Sequence, residues 1–231
     1  MDTEHLEKLR ASILIDMKIE RKVDINKIEV FLKYDKDEYN IITKDRWDII
    51  EDKPIENPSR FIQLERYVVN KDISRIEKTK DLIKQYGKVI IFYNFNYERD
   101  LLLKMIDELD IPFGEWNGHV HSEIPETNKW ANLVQYNAGS EGWNCVKTNV
   151  IVFYSLNYSY RMMHQAAGRI NRRNTLFKNL FYFYFYSDSS IDKAILKSLK
   201  EKKDFNERKY YENMNLVNFT IPLMEERGNK T

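Results

Sequence analysis

Apolar residues recur along this chain at two different spacings. Lys88-Val-Ile-Ile-Phe-Tyr93 and Thr148-Asn-Val-Ile-Val-Phe-Tyr154 are short, nearly unbroken apolar runs. Runs of that length, rich in β-branched and aromatic residues, predict strands of a parallel sheet covered on both faces. Leu180-Phe-Tyr-Phe-Tyr-Phe-Tyr186 predicts another strand, because six successive aromatic rings overcrowd a helix and suit a pleated surface. Trp130–Tyr136 and residues 113–118 read as shorter strands, the second running into a turn. Lys27–Lys33 alternates apolar with charged residues, the pattern of a strand at a sheet edge.

Helical spacing fills the gaps. Residues 97–109 place Leu101, Leu102, Met105, Ile106 and Leu109 on one side. Ser74 is positioned to cap a helix that runs to Tyr86 and stops at Gly87, and Ser189 to cap a charged helix from Ile191 to about Phe205. Ser59–Val69 predicts a further helix, a helical piece begins near Asp37, and a loop is expected around Pro54 and Pro58. Residues 3–22 show a rougher helical spacing through Leu6, Leu9, Ile13, Leu14 and Met17. Strands alternating with helices of these lengths predict an α/β fold, right-handed βαβ units on a mostly parallel sheet. The regular pattern starts at Ser74. Residues 1–73 are therefore expected to form a connector with edge helices and an edge strand, and residues 74–231 the main domain, with the end from Glu225 frayed.

Composition narrows the function. The 231 residues are 42% apolar and 32% charged, a balance suited to a globular domain. A net charge of +1 excludes a protein that coats nucleic acid by bulk charge, so any strand binding must come from a local groove. The single cysteine, Cys145, excludes an internal disulfide and a cysteine-based zinc site; it reads as a small apolar filler. No apolar run approaches the roughly eighteen residues of a membrane span, and the N-terminus lacks a signal-peptide core. No membrane association and a cytoplasmic location are expected.

The chemistry concentrates in two stretches. Gln165-Ala-Ala-Gly-Arg-Ile-Asn-Arg172 places two guanidinium groups three residues apart, on one face if the stretch is helical. A forked, permanently charged pair suits phosphate oxygens, and Gly168 leaves room for close approach. An arginine-rich surface turn is the bland alternative. About twenty residues earlier, Ala138-Gly-Ser-Glu-Gly-Trp-Asn144 forms a glycine-bearing loop after an apolar run.

In this order the two stretches resemble the C-terminal motor lobe of superfamily 2 helicases and translocases, the Swi/Snf-like and phage DEAD/DEAH-type members above all. There, an Ala-Gly-x-x-Gly-x-Asn loop is the fifth motif and Gln-x-x-Gly-Arg-x-x-Arg the sixth. The resemblance implies a RecA-like three-layer sandwich with an N-terminal connector segment. It assigns Arg172 as the arginine finger on the γ-phosphate of ATP, with Arg169 contacting that phosphate or bracing the motif. Gln165, Gly168, Gly142 and Asn144 would lie at the same interlobe cleft. Gly139 and Ser140 would touch the strand phosphates, as would Asn94 and Asn96 where the fourth motif ends a strand. The alternatives are structural: a salt-bridged arginine pair, a plain tight turn, an asparagine-rich helix cap. Trp143 and Trp116 read as packing residues more readily than as base-stacking platforms.

Two patterns are set aside. Asp107-Glu-Leu-Asp110 mimics a magnesium-binding signature but ends a helix rather than a strand, and His119-Val-His121 lacks a third metal ligand. No metal site is expected here. No phosphate-cradling Gly-x-x-x-x-Gly-Lys-Ser/Thr occurs, so ATP with Mg2+ is expected to be held mainly by an N-terminal helicase lobe, in the same or another chain. The nucleic acid is expected to be DNA, and the host cytoplasm is the location if a phage encodes the protein. The rival reading is a stand-alone, non-catalytic single lobe that binds nucleic acid or a partner motor.

Overall fold

The computed structural model describes residues 23–138 and 144–218. The helical spacing read in residues 3–22 and the fraying expected from Glu225 lie outside those residues. The strands are β1 (Asp24–Phe31), β2 (Trp47–Asp48), β3 (Lys53–Pro54), β4 (Lys88–Tyr93), β5 (Phe113–Trp116), β6 (Trp130–Gln135), β7 (Val150–Phe153) and β8 (Asn179–Tyr186). The helices are α1 (Lys36–Thr43), α2 (Pro58–Asn70), α3 (Ile73–Tyr86), α4 (Asn96–Leu109), α5 (Tyr160–Ala167), α6 (Ser190–Lys200) and α7 (Glu207–Asn218). Six strands form one sheet in the order β1-β8-β7-β4-β6-β5, and every pairing in it is parallel. β2 and β3 make a separate antiparallel hairpin where a loop was expected, and Pro58 opens α2, its missing N–H costing nothing at that position.

The central strands are apolar on both sides because both sides are covered. Val89, Ile91 and Tyr93 of β4 face α3 and α4, together with Val150 and Val152 of β7 and Phe183 and Phe185 of β8. Ile90, Phe92, Ile151, Phe153, Leu180 and Tyr182 face the opposite layer, built from α1, α2, α5, α6 and α7. The aromatic strand is thus sorted by its own alternation, phenylalanines to one layer and tyrosines to the other. Ile90, Ile91 and Phe92 are completely buried, each contributing about 1.5–3 kcal/mol of burial free energy. At the β1 edge the covering thins, leaving Ile25 and Phe31 half exposed.

The helix ends differ in detail from the sequence expectations. Asp72, not Ser74, caps α3, its carboxylate accepting from the Ser74 N–H at 2.9 Å. Gly87 closes the same helix with φ 76 and donates its N–H to the Ile83 carbonyl at 2.9 Å. A side chain there would be strained in backbone and would press the Asn128 carbonyl at 3.1 Å. α6 stops at Lys200 rather than Phe205, and Lys202 takes a left-handed φ of 57 that prevents continuation.

Two buried charged groups fasten the layers. Arg75 on α3 is wholly buried and fully engaged. Its Nη2 donates to Asp192 Oδ2 on α6 (2.7 Å), Nη1 to the Tyr154 carbonyl (2.6 Å) and Nε to the Val69 carbonyl (3.1 Å). Asp192 Oδ2 also accepts from the Ser187 N–H at 2.9 Å. On the other side, Glu65 of α2 accepts from the hydroxyls of Tyr39 on α1 (2.6 Å) and Tyr210 on α7 (2.8 Å), with Ser190 Oγ at 3.4 Å. Burial raises its carboxyl to about 7 despite those hydroxyls and the nearby Arg46 charge.

Arg75→Ala strands the Asp192 carboxylate in the interior and is expected to cost roughly 3–5 kcal/mol, read by urea unfolding. Glu65 has a folded pKa above its ordinary value, so its stabilising contribution is complete below about pH 4.5 and is lost as pH rises through about 7. The melting temperature is therefore expected to fall across that interval, with Glu65→Gln flattening the slope. A slope unchanged by the substitution would contradict this account.

Candidate functional site

In an open parallel sheet, a ligand crevice forms beyond the carboxyl ends of strands whose following connections run in opposite directions. Here β4 leads through α4 to β5 at one edge, while its neighbour β7 leads through α5 to β8 on the other side. α4 and α5 also lie on opposite faces. The switch point therefore falls between β4 and β7, where Asn94 meets residues 155–157.

That junction is a closed polar network. Both amide protons of Asn94 are engaged, with Ser155 Oγ (2.8 Å) and the Leu156 carbonyl (3.1 Å), and its Oδ1 accepts from Asn157 Nδ2 (2.8 Å). Glu98 lies beneath, fully buried. Its Oε2 accepts from the Asn94 N–H (2.8 Å), the Phe95 N–H (3.3 Å) and the Ser155 hydroxyl (2.9 Å), and Oε1 from Asn70 Nδ2 (2.8 Å). Burial pushes this carboxyl up, and the Arg66 charge and these donors oppose the rise. Arg66 is itself buried, donating from Nη2 to the Leu156 carbonyl (2.8 Å) with the Phe95 and Tyr158 rings 5.4 and 5.2 Å away. Asn96 opens α4 beside this network and is exposed.

α5 starts from the same junction. Asn157 Oδ1 accepts from the Ser159 N–H (2.8 Å) and Asp204 Oδ1 from the Tyr160 N–H (2.8 Å), so two side chains close the helix N-terminus. The helix ends at Ala167. Arg169 and Arg172 follow it in turns rather than on a continuing helix: the Arg169 N–H donates to the Ala166 carbonyl (3.1 Å) and the Arg172 N–H to the Ile170 carbonyl (3.0 Å). Fully buried Ile170 anchors the turn between them. Their charges still meet, because burial and then the Arg172 charge press the Arg169 guanidinium below its ordinary pKa. Arg169 is 6% exposed, Arg172 is half-buried, and the Arg172 Nε is buried without a hydrogen-bond partner. Two crowded cations of this kind suit an anion with several oxygens.

The segment from Asn144 also meets the arginine turn. The Cys145 N–H donates to the Arg169 carbonyl at 3.1 Å, bringing exposed Asn144 beside the arginine turn. Gln165 is half-buried one turn back. Gly168 has an ordinary helical φ of −66, and a side chain there would meet the Gln165 carbonyl at 3.2 Å. Gly139, Ser140, Gly142 and Trp143 lie outside the described residues.

Residues 74–174 match the family described as the helicase conserved C-terminal domain. Over that stretch the chain is similar to helicase C-terminal domains. The chain is also similar to the C-terminal part of the Fun30 ATPase domain, with a TM-score of 0.65 and 12% identity over 84% of this chain and 96% of that one. A second similar structure is the Sulfolobus solfataricus SWI2/SNF2 ATPase core in complex with dsDNA, with a TM-score of 0.61 and 14% identity over 84% of this chain and 48% of that one. The chain thus spans about half of the Sulfolobus core and nearly all of the Fun30 fragment. No curated protein sequence matches it. The fold is a RecA-like lobe, in agreement with the three-layer reading of the sequence.

The two set-aside patterns lie at the end of α4 and after β5. Asp107–Asp110 forms the last turn of α4, with Asp110 left-handed at φ 49. His119 and His121 are exposed near the end of β5, where the His121 ring stacks on Trp116 at 4.3 Å. Sequence reasoning missed Glu98, Ser155 and Asn157. Ser155 and Asn157 carried a usable signal, polar residues breaking an apolar run at a strand end. No described helix is long and apolar enough to cross a membrane.

Cys145 is 2% exposed and burial raises its thiol pKa. Its reaction with a disulfide reagent is expected to be roughly 100-fold slower in the native chain than in denaturant. Fast native labelling would show that Cys145 is not held in the interior beside the arginine turn.

Proposed function

We propose that this chain is the C-terminal motor lobe of an ATP-dependent helicase or translocase acting on DNA, with Arg172 as the arginine finger. The observation that carries the reading is the crowded Arg169–Arg172 pair, one of whose buried nitrogens has no hydrogen-bond partner. Two guanidinium groups this close repel each other, and a polyphosphate between the lobes would interact with both. Arg169, more deeply set, is assigned to brace the turn and add charge, with Gln165, Gly168 and Asn144 assigned to the same cleft. Among the described residues no group of three acidic, histidine or cysteine side chains stands together. Mg2+ and the phosphate cradle are therefore assigned to an N-terminal lobe, in this polypeptide or another. ATP bound there supplies the γ-phosphoryl group whose charge the finger neutralises.

On the strand side we assign exposed Asn96, with Gly139 and Ser140, to the DNA backbone. The duplex in the Sulfolobus SWI2/SNF2 complex supports DNA as the strand. Closure of the lobes would bring the finger to the phosphate and shift the two lobes along the strand. The test is ATP turnover by the two-lobed motor with duplex DNA. Arg172→Ala is expected to lower it by about 10³–10⁵, the range for loss of an arginine finger, while the isolated chain hydrolyses no ATP. Near-normal turnover by the variant would remove the assignment.

A further inference from the structure

We infer that the Asn94–Ser155–Asn157 junction, seated on buried Glu98, is a relay that makes the strand-facing end of β4 and helix α5, which leads into the arginine turn, move as one body. The inference rests on the motor reading above and adds positioning residues to it. Three observations carry it. First, the junction lies at the switch point of the sheet, where the loops after β4 and β7 part. Second, it binds those loops side chain to side chain: Asn94 reaches Ser155, the Leu156 carbonyl and Asn157, at 2.8, 3.1 and 2.8 Å. Gln135 at the end of β6 adds a bond to the Asn94 carbonyl at 3.3 Å.

Third, one residue belongs to both ends of the path. Asn157 holds Asn94 with its amide nitrogen and caps α5 at Ser159 with its amide oxygen. The eight residues of α5 then span about 12 Å, at 1.5 Å per residue, down to the arginine turn. A displacement of the Asn94–Asn96 turn by a bound strand therefore reaches Arg169 and Arg172 through a short, stiff rod. The relay resists slack because Glu98 is buried and uses both carboxylate oxygens. Asn94 cannot simply turn its amide over, since its oxygen would then oppose the Leu156 carbonyl.

The relay sends strand binding to the finger without touching either ligand. Cutting it should leave both sites intact and break the link between them. Ser155→Ala removes the hydroxyl shared by Asn94 and Glu98. Asn157→Asp keeps the oxygen that caps Ser159 and loses the donor to Asn94, so it separates capping from coupling. In the two-lobed motor with a DNA duplex of about thirty base pairs, both variants are expected to lose about tenfold of strand-stimulated kcat. Basal turnover and duplex affinity should stay within about twofold.

Arg172→Ala is run beside them. Full stimulation in both relay variants, with Arg172→Ala inactive, overturns the relay and leaves the motor reading standing. A parallel fall of stimulated rate, basal rate, duplex affinity and melting temperature also overturns it, marking the junction as merely structural. Normal turnover by Arg172→Ala sinks the motor reading and takes the relay with it.

Discussion

A parallel sheet covered on both faces leaves its backbone no access to water along the central strands, so polar business is confined to the strand ends. That constraint organises this molecule. β7, and β4 after Lys88, are apolar throughout, and beyond them the chain places Asn94, Ser155 and Asn157. These residues saturate one another and stand on a carboxylate, Glu98, that no water reaches. The same logic explains Arg75 and Asp192, which meet behind the end of β7 and satisfy carbonyls that the turn leaves open. Removing any one partner leaves its neighbours dry and unmatched, which makes such clusters rigid as well as costly to break.

Against that rigid background the arginine turn is different in kind. It sits past the end of a short helix, holds two like charges close together, and is anchored by buried Ile170 and a backbone bond from Cys145. Two like charges held this close lower the cost of binding an anion beside them.

Much of the fold was legible in the sequence because buried parallel strands write themselves as unbroken apolar runs. β4, β7 and β8 fall where those runs fall. The helix ends were less legible, since Asp72 and Ser74 are both good caps and only the path of the chain chooses between them. The overrun of α6 has a similar origin: residues 200–205 keep a helical composition, and nothing local announces the left-handed turn at Lys202. The arginine pair was recognised by its spacing, yet the spacing suggested a shared helical face that the chain does not use. Glu98 was invisible for a more basic reason. A glutamate in the first turn of a helix is ordinarily solvated and favourable to the helix dipole, and only the packing of α2 and the β7 loop over it turns it into an interior group.

The thinly covered β1 edge has its own consequence. Among the described residues β1 is an eight-residue edge strand, and such a strand is a template on which a further strand can grow. Lys27 and Glu29 project from the same side as half-exposed Ile25 and Phe31, interrupting what would be a sticky ribbon. Those two charges guard the solubility of the lobe: replaced by valines, they would leave copies free to zip together edge to edge into fibres.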